Sequence, residues 1–300
     1  MANDRSDFAP EIRNQAWWAT DTRRAVNGRA VEVILEKQGK KDLDDLSHIE
    51  AVQMGHVMQP VIGRLVQDKL KMEIKDADYM LSHSTNPWLR SHFDFISTDN
   101  KTLVEAKNYN ASVRSKFDVD TSRVPDADYA QCLHEAVVHN VDHVVLAVLF
   151  GGQEFQTFDL RFTQNEKDDL IQKMAVYWAH VKSFTLPEAE SIEGTKLAYP
   201  VSNDGVITAT AQIENAVSQL KALKLKQKEI DEYAEDLEVK IRNLMGEASE
   251  IRTLAGDTLV TWRSSKSSQR FNADLFKSAM PDVYKEFVVE TPGSRRFLIK

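Results

Sequence analysis

Residues 143–150, His-Val-Val-Leu-Ala-Val-Leu-Phe, form an unbroken apolar run of strand length, and few folds can accommodate one. A strand without polar alternation is buried on both faces, which makes it a central strand of a layered α/β core. Its surroundings fit that role. After the turn formers Gly151 and Gly152, residues 154–162 alternate in polarity like a more exposed strand. Apolar residues at helical spacing predict helices over 21–38, with Gly39 as the stop, and over 46–70, where Pro60 marks a kink or a nearby helix start. Further helices are predicted from Pro125-Asp126 to about 140 and over 166–180, with Trp178 packing on the sheet. Residues 79–89 read as a strand and then an irregular segment around Asn86-Pro87. The order of helices, antiparallel strands, helix, strand, strand and helix predicts a mixed α/β core spanning 1–183.

Beyond it, 184–210 is rich in Pro, Glu and small polar residues and reads as a linker. Apolar residues then recur at three/four spacing over 211–255, interrupted near Gln227, which predicts a long amphipathic helix or a helical hairpin. Such a helix can self-associate, although docking on its own core is the commoner outcome. A small α+β unit over 256–300 should follow, with a strand at 258–262, a helix at 272–280 and a strand at 296–299. No internal repeat is present.

The chain has 300 residues, 42% hydrophobic and 28% charged, enough to bury a sizeable core. No apolar run approaches the roughly 20 residues of a membrane span. The polar N-terminus carries no signal-peptide core, so a cytoplasmic location is expected. Cys132 is the only cysteine, which excludes a disulfide framework and a thiolate metal site. The net charge of −8 weighs weakly against nucleic-acid binding, but local basic patches matter more than the total. Candidates are Arg23, Arg24 and Arg29; Lys37, Lys40 and Lys41; Arg114, Lys116 and Arg123; and the tail from Arg263, with eight Lys or Arg against four acids.

Residues 92–108 carry the clearest chemical signal. Asp94 ends one short apolar run, Glu105-Ala106-Lys107 ends the next, and turn formers lie between them. If Asp99-Asn100 is a two-residue hairpin loop, Asp94 stands opposite Glu105, with Cβ atoms about 4.5–5.5 Å apart. Two such carboxylates repel unless a cation lies between them, and hard oxygen pairs suit Mg²⁺ or Mn²⁺. Lys107 projects from the same strand face as Glu105. Two acids and a lysine are what metal-assisted phosphodiester hydrolysis uses, although acid–x–Lys triplets also occur on solvated strand edges. His134-Glu135 with His139 is not a zinc helix, because the histidines are five apart rather than four. Gly151-Gly152 is a strand-end turn, Cys132 a buried small hydrophobe, and Gln131 either a surface amide or a site residue.

Four segments in order give the chain a specific likeness: Gly55 to Pro60, Asn86-Pro87-Trp88 leading to Asp94, Glu105-Ala106-Lys107, and Tyr129-Ala130-Gln131. With the run from Val144 to Phe155 they resemble the YqaJ-type viral recombinase family, which includes lambda exonuclease and belongs to the PD-(D/E)XK nuclease superfamily. The likeness covers roughly residues 20–182. It implies a restriction-endonuclease-like α/β fold, a mixed sheet core flanked by helices, here with a long helical C-terminal extension. It also implies that Asp94 and Glu105 bind Mg²⁺, which Mn²⁺ can replace, with the Ala106 carbonyl and Gln59 as further ligands. Lys107 would position or activate the attacking water, and Gln131 would contact the scissile region. Tyr129 and Gln131, with Arg23, Arg24 and Arg29 near the family's 5′-phosphate contacts, would bind DNA; Glu50 and His56 are candidates by proximity only. One departure stands out: the family's helix offers a glutamate before the proline, and this chain has Gln59.

The expected activity is therefore a 5′→3′ exonuclease on double-stranded DNA ends, serving phage-type recombination with a single-strand annealing protein as partner. The resemblance further implies a homo-oligomer, a ring-shaped trimer. The rivals are an endonuclease of the same superfamily, a DNA-binding protein with an impaired nuclease site, and a helical scaffold dominated by residues 211–254.

Overall fold

The computed structural model describes residues 10–77, 79–290 and 293–300; the first nine residues of the polar N-terminus lie outside them. The chain divides into two compact units, the first running to Pro200 and the second spanning Val201–Lys300.

The first unit opens with the short helix α1 (Pro10–Arg13), strand β1 (Trp17–Trp18) and helices α2 (Ala19–Arg24) and α3 (Ala30–Lys37). The single helix expected over 21–38 is divided by a π-helical turn, Ala25–Arg29, in which Gly28 takes a φ of +76°. An L side chain would be strained there, so glycine allows the bend. Helix α4 (Glu50–Leu70) contains Pro60 and starts later than expected. Strands β2 (Ile74–Asp76), β3 (Met80–Ser82), β4 (Leu89–His92), β5 (Phe95–Ser97) and β6 (Thr102–Tyr109) lead to helix α5 (Asp126–His139). Strands β7 (His143–Phe150) and β8 (Glu154–Arg161) and helices α6 (Gln164–Ser183) and α7 (Ile192–Ala198) follow.

Strand order in the main sheet is β2-β5-β6-β7-β8. Only β6 and β7 run parallel, joined by α5, and the other neighbours are antiparallel. The sheet is mixed and flanked by helices, which is the expected fold class. The apolar run at β7 is central and covered on both sides. Val144, Leu146 and Val148 pack with Leu133, Ala136 and Val137 of α5, whereas Val145, Ala147 and Leu149 pack with Ile62 and Val66 of α4. At the α4 contact Gly63 leaves room for the Phe95 ring, since a Cβ there would fall 2.7 Å from its Cζ. A smaller sheet, β1-β4-β3, lies beside α2 and α5. Trp178 packs as expected, stacked on Trp88 with ring centroids 5.9 Å apart.

Residues 184–210, expected as a linker, begin inside the first unit. Helix α7 packs on α3, and the Ser191 hydroxyl donates to the Gly28 carbonyl at 2.7 Å. The bend at Gly28 and the docking of α7 are therefore joined by a contact that no sequence spacing advertises.

The second unit is built on helix α8 (Ala211–Met245), which runs unbroken through Gln227, so the hairpin alternative falls away. Gly246 ends it, and strands β9 (Glu250–Arg252) and β10 (Thr258–Thr261) form an antiparallel hairpin. Helices α9 (Ala273–Ala279) and α10 (Pro281–Glu286) follow, the second unforeseen and started by proline at its first position. Residues 296–299, expected as a strand, are irregular and find no strand partner among the described residues. Among the described residues no helix is long and apolar enough to cross a membrane.

His134 illustrates how tightly the first unit is closed. It is fully buried; its Nε2–H donates to the Arg90 carbonyl at 3.1 Å and its Nδ1 lies 2.8 Å from the Thr22 hydroxyl. Burial pushes its pKa down to about 4, so the folded protein holds it neutral. An unfolded chain takes up this proton near pH 6.5. Stability from this group is complete above pH 6.5 and is lost as pH falls toward 4, by up to about 3 kcal/mol. Urea unfolding at pH 7 and pH 5 should show this loss in the native protein and a smaller one in His134→Gln; equal losses would remove His134 as the cause.

Candidate active site

The hairpin between β5 and β6 sets the site. Phe95 pairs with Val104 and Ile96 with Leu103, so the next pair is Asp94 with Glu105, the register read from the sequence. The loop itself is longer than two residues. Thr98 to Lys101 form the turn, Asn100 takes a φ of +57°, and the Ser97 hydroxyl accepts the Lys101 and Thr102 N–H groups. The register survives because these side-chain bonds replace a two-residue turn.

At Asp94 backbone pairing ends and side-chain pairing begins. The Ala106 N–H donates to Asp94 Oδ2 at 2.8 Å, and the Asp94 carbonyl accepts from Ala77 N–H at 3.1 Å. In a strand the N–H and C=O of one residue point to the same neighbour, so the Ala106 carbonyl faces the Asp94 edge.

Alternation along β6 then sorts the side chains. Val104 and Ala106 face α4, while Leu103 packs in the cluster with α5, on the face that Glu105 and Lys107 share. There, Lys107 Nζ lies 2.6 Å from Glu105 Oε1 and donates to Gln131 Oε1 at 3.1 Å. Gln131 Nε2 donates to Glu105 Oε1 at 2.6 Å and to Glu135 Oε1 at 2.9 Å. Asp94, Glu105, Lys107 and Gln131 are thus one connected cluster. Glu135 joins it as a residue the sequence reading set aside with the zinc motif. Its signal was available: it follows Gln131 by four residues, the spacing that puts two side chains on one helical face.

The electrostatics are those of crowded acids. Burial and the neighbouring Glu105 charge raise the Asp94 pKa well above the carboxylate range, against the opposing pull of Lys107 and the Ala106 N–H. Burial and the Glu105 charge also raise Glu135. Burial alone would lower the Lys107 ammonium, but Glu105 more than reverses this and its pKa rises. A divalent cation beside Asp94 and Glu105 would relieve their repulsion. Two carboxylates and a main-chain carbonyl suit Mg²⁺, which keeps several waters and completes its shell with phosphate oxygens. The residues therefore fit the ion. Among the described residues no group of three or more His, Cys, Asp or Glu is arranged to hold a metal.

The other expected site residues are distributed differently. Arg23 lies beside the cluster: its Nε donates to Asp128 Oδ1 and its NH2 to the Tyr109 hydroxyl, both at 3.1 Å. Tyr109 in turn donates to Asp128 at 2.6 Å. The Arg23 side chain is 39% exposed and can still meet a phosphate. Arg24 is committed to Glu36 through two bonds of 2.6 and 2.7 Å, and Arg29 to Glu32 at 2.5 Å. Tyr129 donates its hydroxyl to Glu166 at 2.6 Å. Lys37 leaves the basic patch assigned to it, being buried against Asp21, and Arg114 is paired with Glu154. Gln59 sits on α4, which packs on the sheet face opposite Glu105 and Lys107; among the described residues no hydrogen bond joins it to the cluster. Of the two histidines in the rejected zinc spacing, His134 bonds Thr22 and Arg90 while His139 bonds the Tyr79 hydroxyl.

Comparison with curated proteins found no match. Among solved structures, an alkaline exonuclease from Laribacter hongkongensis is 10% identical with a TM-score of 0.49, over 58% of this chain and 91% of that one. The same exonuclease in complex with dAMP is 11% identical with a TM-score of 0.48, over 57% and 90%. A phage-related exonuclease from Haemophilus somnus is 11% identical with a TM-score of 0.43, over 54% and 81%. Likenesses of this extent leave the fold to be read from the strand order itself. The profile of the YqaJ-like viral recombinase domain matches residues 11–142, the span that holds Asp94, Glu105, Lys107 and Gln131. Over those residues, fewer than half of its 300, the chain is similar to the YqaJ-like viral recombinase domain.

Proposed function

We propose that this chain is a Mg²⁺-dependent deoxyribonuclease, a 5′→3′ exonuclease on double-stranded DNA ends that serves recombination by single-strand annealing. The observation that carries this reading is the connected cluster of Asp94, Glu105, Lys107 and Gln131 at the end of one hairpin. The match of residues 11–142 to the YqaJ-like viral recombinase domain supports a nuclease role in recombination.

Asp94 and Glu105, with the Ala106 carbonyl, would hold the ion, which when bound activates water and neutralises phosphate charge. The protein's own groups do the rest. The Lys107 ammonium has three N–H donors, two directed at Glu105 and Gln131, which leaves one for the attacking water or a non-bridging phosphate oxygen. Because Glu105 keeps it protonated, its part is to orient and to stabilise charge, as preorganised donors do. The Gln131 amide fixes both partners at once, since its carbonyl can only accept from Lys107 while its NH₂ donates to Glu105 and Glu135. Arg23, half-exposed beside them, is the side chain best placed to receive a terminal phosphate.

Linear 5′-phosphorylated duplex and a closed circle, each incubated with Mg²⁺, separate the readings. Degradation of the linear form alone supports the exonuclease, and cutting of the circle supports an endonuclease. A second reading, DNA binding with an impaired nuclease site, is favoured by Gln59, which stands before Pro60 where an acid would add a charge. It requires binding without cleavage, unchanged in Asp94→Ala. If Gln59 reaches the ion or its water, Gln59→Glu should raise cleavage and lower the Mg²⁺ concentration needed for half-maximal rate. An unchanged Mg²⁺ dependence removes Gln59 from the ligand set.

A further inference from the structure

Helix α8 carries two patterns with one common centre. The first is apolar: Ile213, Leu220, Leu223, Ile230, Leu237 and Ile241 recur at alternating heptad spacing, and Leu244 extends the series. Ala216, Gln227 and Ala234 fill the remaining positions of the seam. This face is uncovered within the second unit. Leu223 is 62%, Ile230 67% and Leu244 80% exposed, and Met245 is the one buried residue of the helix. A helix this long normally owes its stability to packing of its apolar face.

The second pattern is electrostatic. Residues 221–228 contain four lysines (221, 224, 226 and 228) and no acid; residues 229–238 contain six acids and no base. The charge reverses between Lys228 and Glu229, the midpoint of the apolar seam. Apart from the i,i+4 pair of Lys228 with Glu232 at 3.5 Å, the two halves cannot meet within one chain, because α8 passes through this point without a break.

We propose that α8 pairs antiparallel with α8 of a second copy of this chain, centred between Lys228 and Glu229. That alignment sets Leu220 against Leu237, Leu223 against Ala234, Gln227 against Ile230 and Ile213 against Leu244, so the apolar seam closes along its length. It also lays each basic half along an acidic half. The parallel alternative sets lysines against lysines and acids against acids, and like-charge juxtaposition rejects it. Near the C-terminal end of α8 a groove of about 420 Å³ opens between the helix and the β9–β10 hairpin, lined by Leu237, Ile241, Met245, Val260 and Trp262. Residues Ile213 and Val217 of the second copy arrive at this place. The pairing does not depend on the nuclease reading.

Complementary charge variants of the full chain test it. In one, the four lysines of 221–228 become glutamate; in the other, the six acids of 229–238 become lysine. Sedimentation equilibrium should show the native chain associating at tens of micromolar. Each variant alone should dissociate at least about tenfold more readily, and an equimolar mixture should recover the association. Recovery on mixing also shows that both variants fold. A monomeric native chain, or an association equally strong in both unmixed variants, overturns the proposal. The latter is what assembly through the first unit would produce. With the native charges kept, donor dye on Gln212→Cys of one copy and acceptor on Asn243→Cys of another should give efficient energy transfer, since the only native cysteine, Cys132, is buried. Transfer between two labels at position 212, with none between 212 and 243, would mean parallel pairing and overturn it as well.

Discussion

Asp94→Asn is expected to abolish cleavage, lowering the rate at least about a thousandfold, while leaving the protein as stable as the native chain or more so. The two effects part because the carboxylate sits in an arrangement made for charge. Asparagine keeps an acceptor for the Ala106 N–H, so the hairpin end is preserved. It removes one of two crowded acids, and with it the repulsion that lifts the Asp94 pKa. Initial rates on linear duplex, measured beside thermal unfolding, check both halves. A rate within tenfold of native would show that Asp94 takes no part in the chemistry. A large fall in melting temperature would show that the loss of activity reports misfolding instead. Lys107→Met should lose activity comparably, but at a cost in stability, because it leaves Glu105 and Gln131 without their shared donor.

The largest effect on stability is expected where α2 meets α3 in the first unit. Asp21 and Lys37 form an ion pair of 2.7 Å with both side chains 2% exposed, and Asp21 also accepts the Trp18 N–H at 2.9 Å. Burial pulls the Lys37 pKa down, whereas Lys37 and Arg13 hold Asp21 below its ordinary value despite its own burial. Asp21→Ala strands a buried ammonium and a backbone donor together, and about 3–5 kcal/mol of unfolding free energy should be lost. Replacing Lys37 by methionine in the same chain should restore part of it, since removing both charges costs less than removing one. Urea unfolding of the two single variants and the double variant gives the coupling. Strictly additive losses would mean that the pair contributes nothing of its own.

How much of this was legible in the sequence varies from residue to residue. The β5–β6 register was readable although the loop is longer than two residues, because the apolar runs on either side determine which residues can face the core. The strand at 143–150 was readable for the same reason. Glu135 is masked by the zinc-like spacing of its histidine neighbours, although its four-residue distance from Gln131 places the two on one helical face. The arginines were harder. Sequence shows Arg23, Arg24 and Arg29 as equal candidates, yet Glu32 and Glu36 hold two of them away, while Asp128 and Tyr109 hold Arg23 beside the cluster. The helix at 192–198 was hidden in a segment whose composition reads as a linker, because its reason to form is a docking site on α3 and Gly28. The absent strand at 296–299 is the converse case: alternation proposes a strand, but a strand also needs a neighbour to bond.

By itself, then, the sequence determined what local periodicity and pairing can carry: a double-sided central strand, the helices around it, the Asp94–Glu105 register, and the apolar seam and charge reversal of α8. Only the tertiary structure decided which polar groups meet across distance. It joined Gln131 and Glu135 to Glu105, buried Lys37 against Asp21, and packed α4, the helix that carries Gln59, on the opposite face of the sheet. The physical reason is range. Hydrophobic patterning repeats over a few residues and is written into neighbouring positions, whereas a hydrogen bond between residues far apart in the chain exists only once the layers have packed.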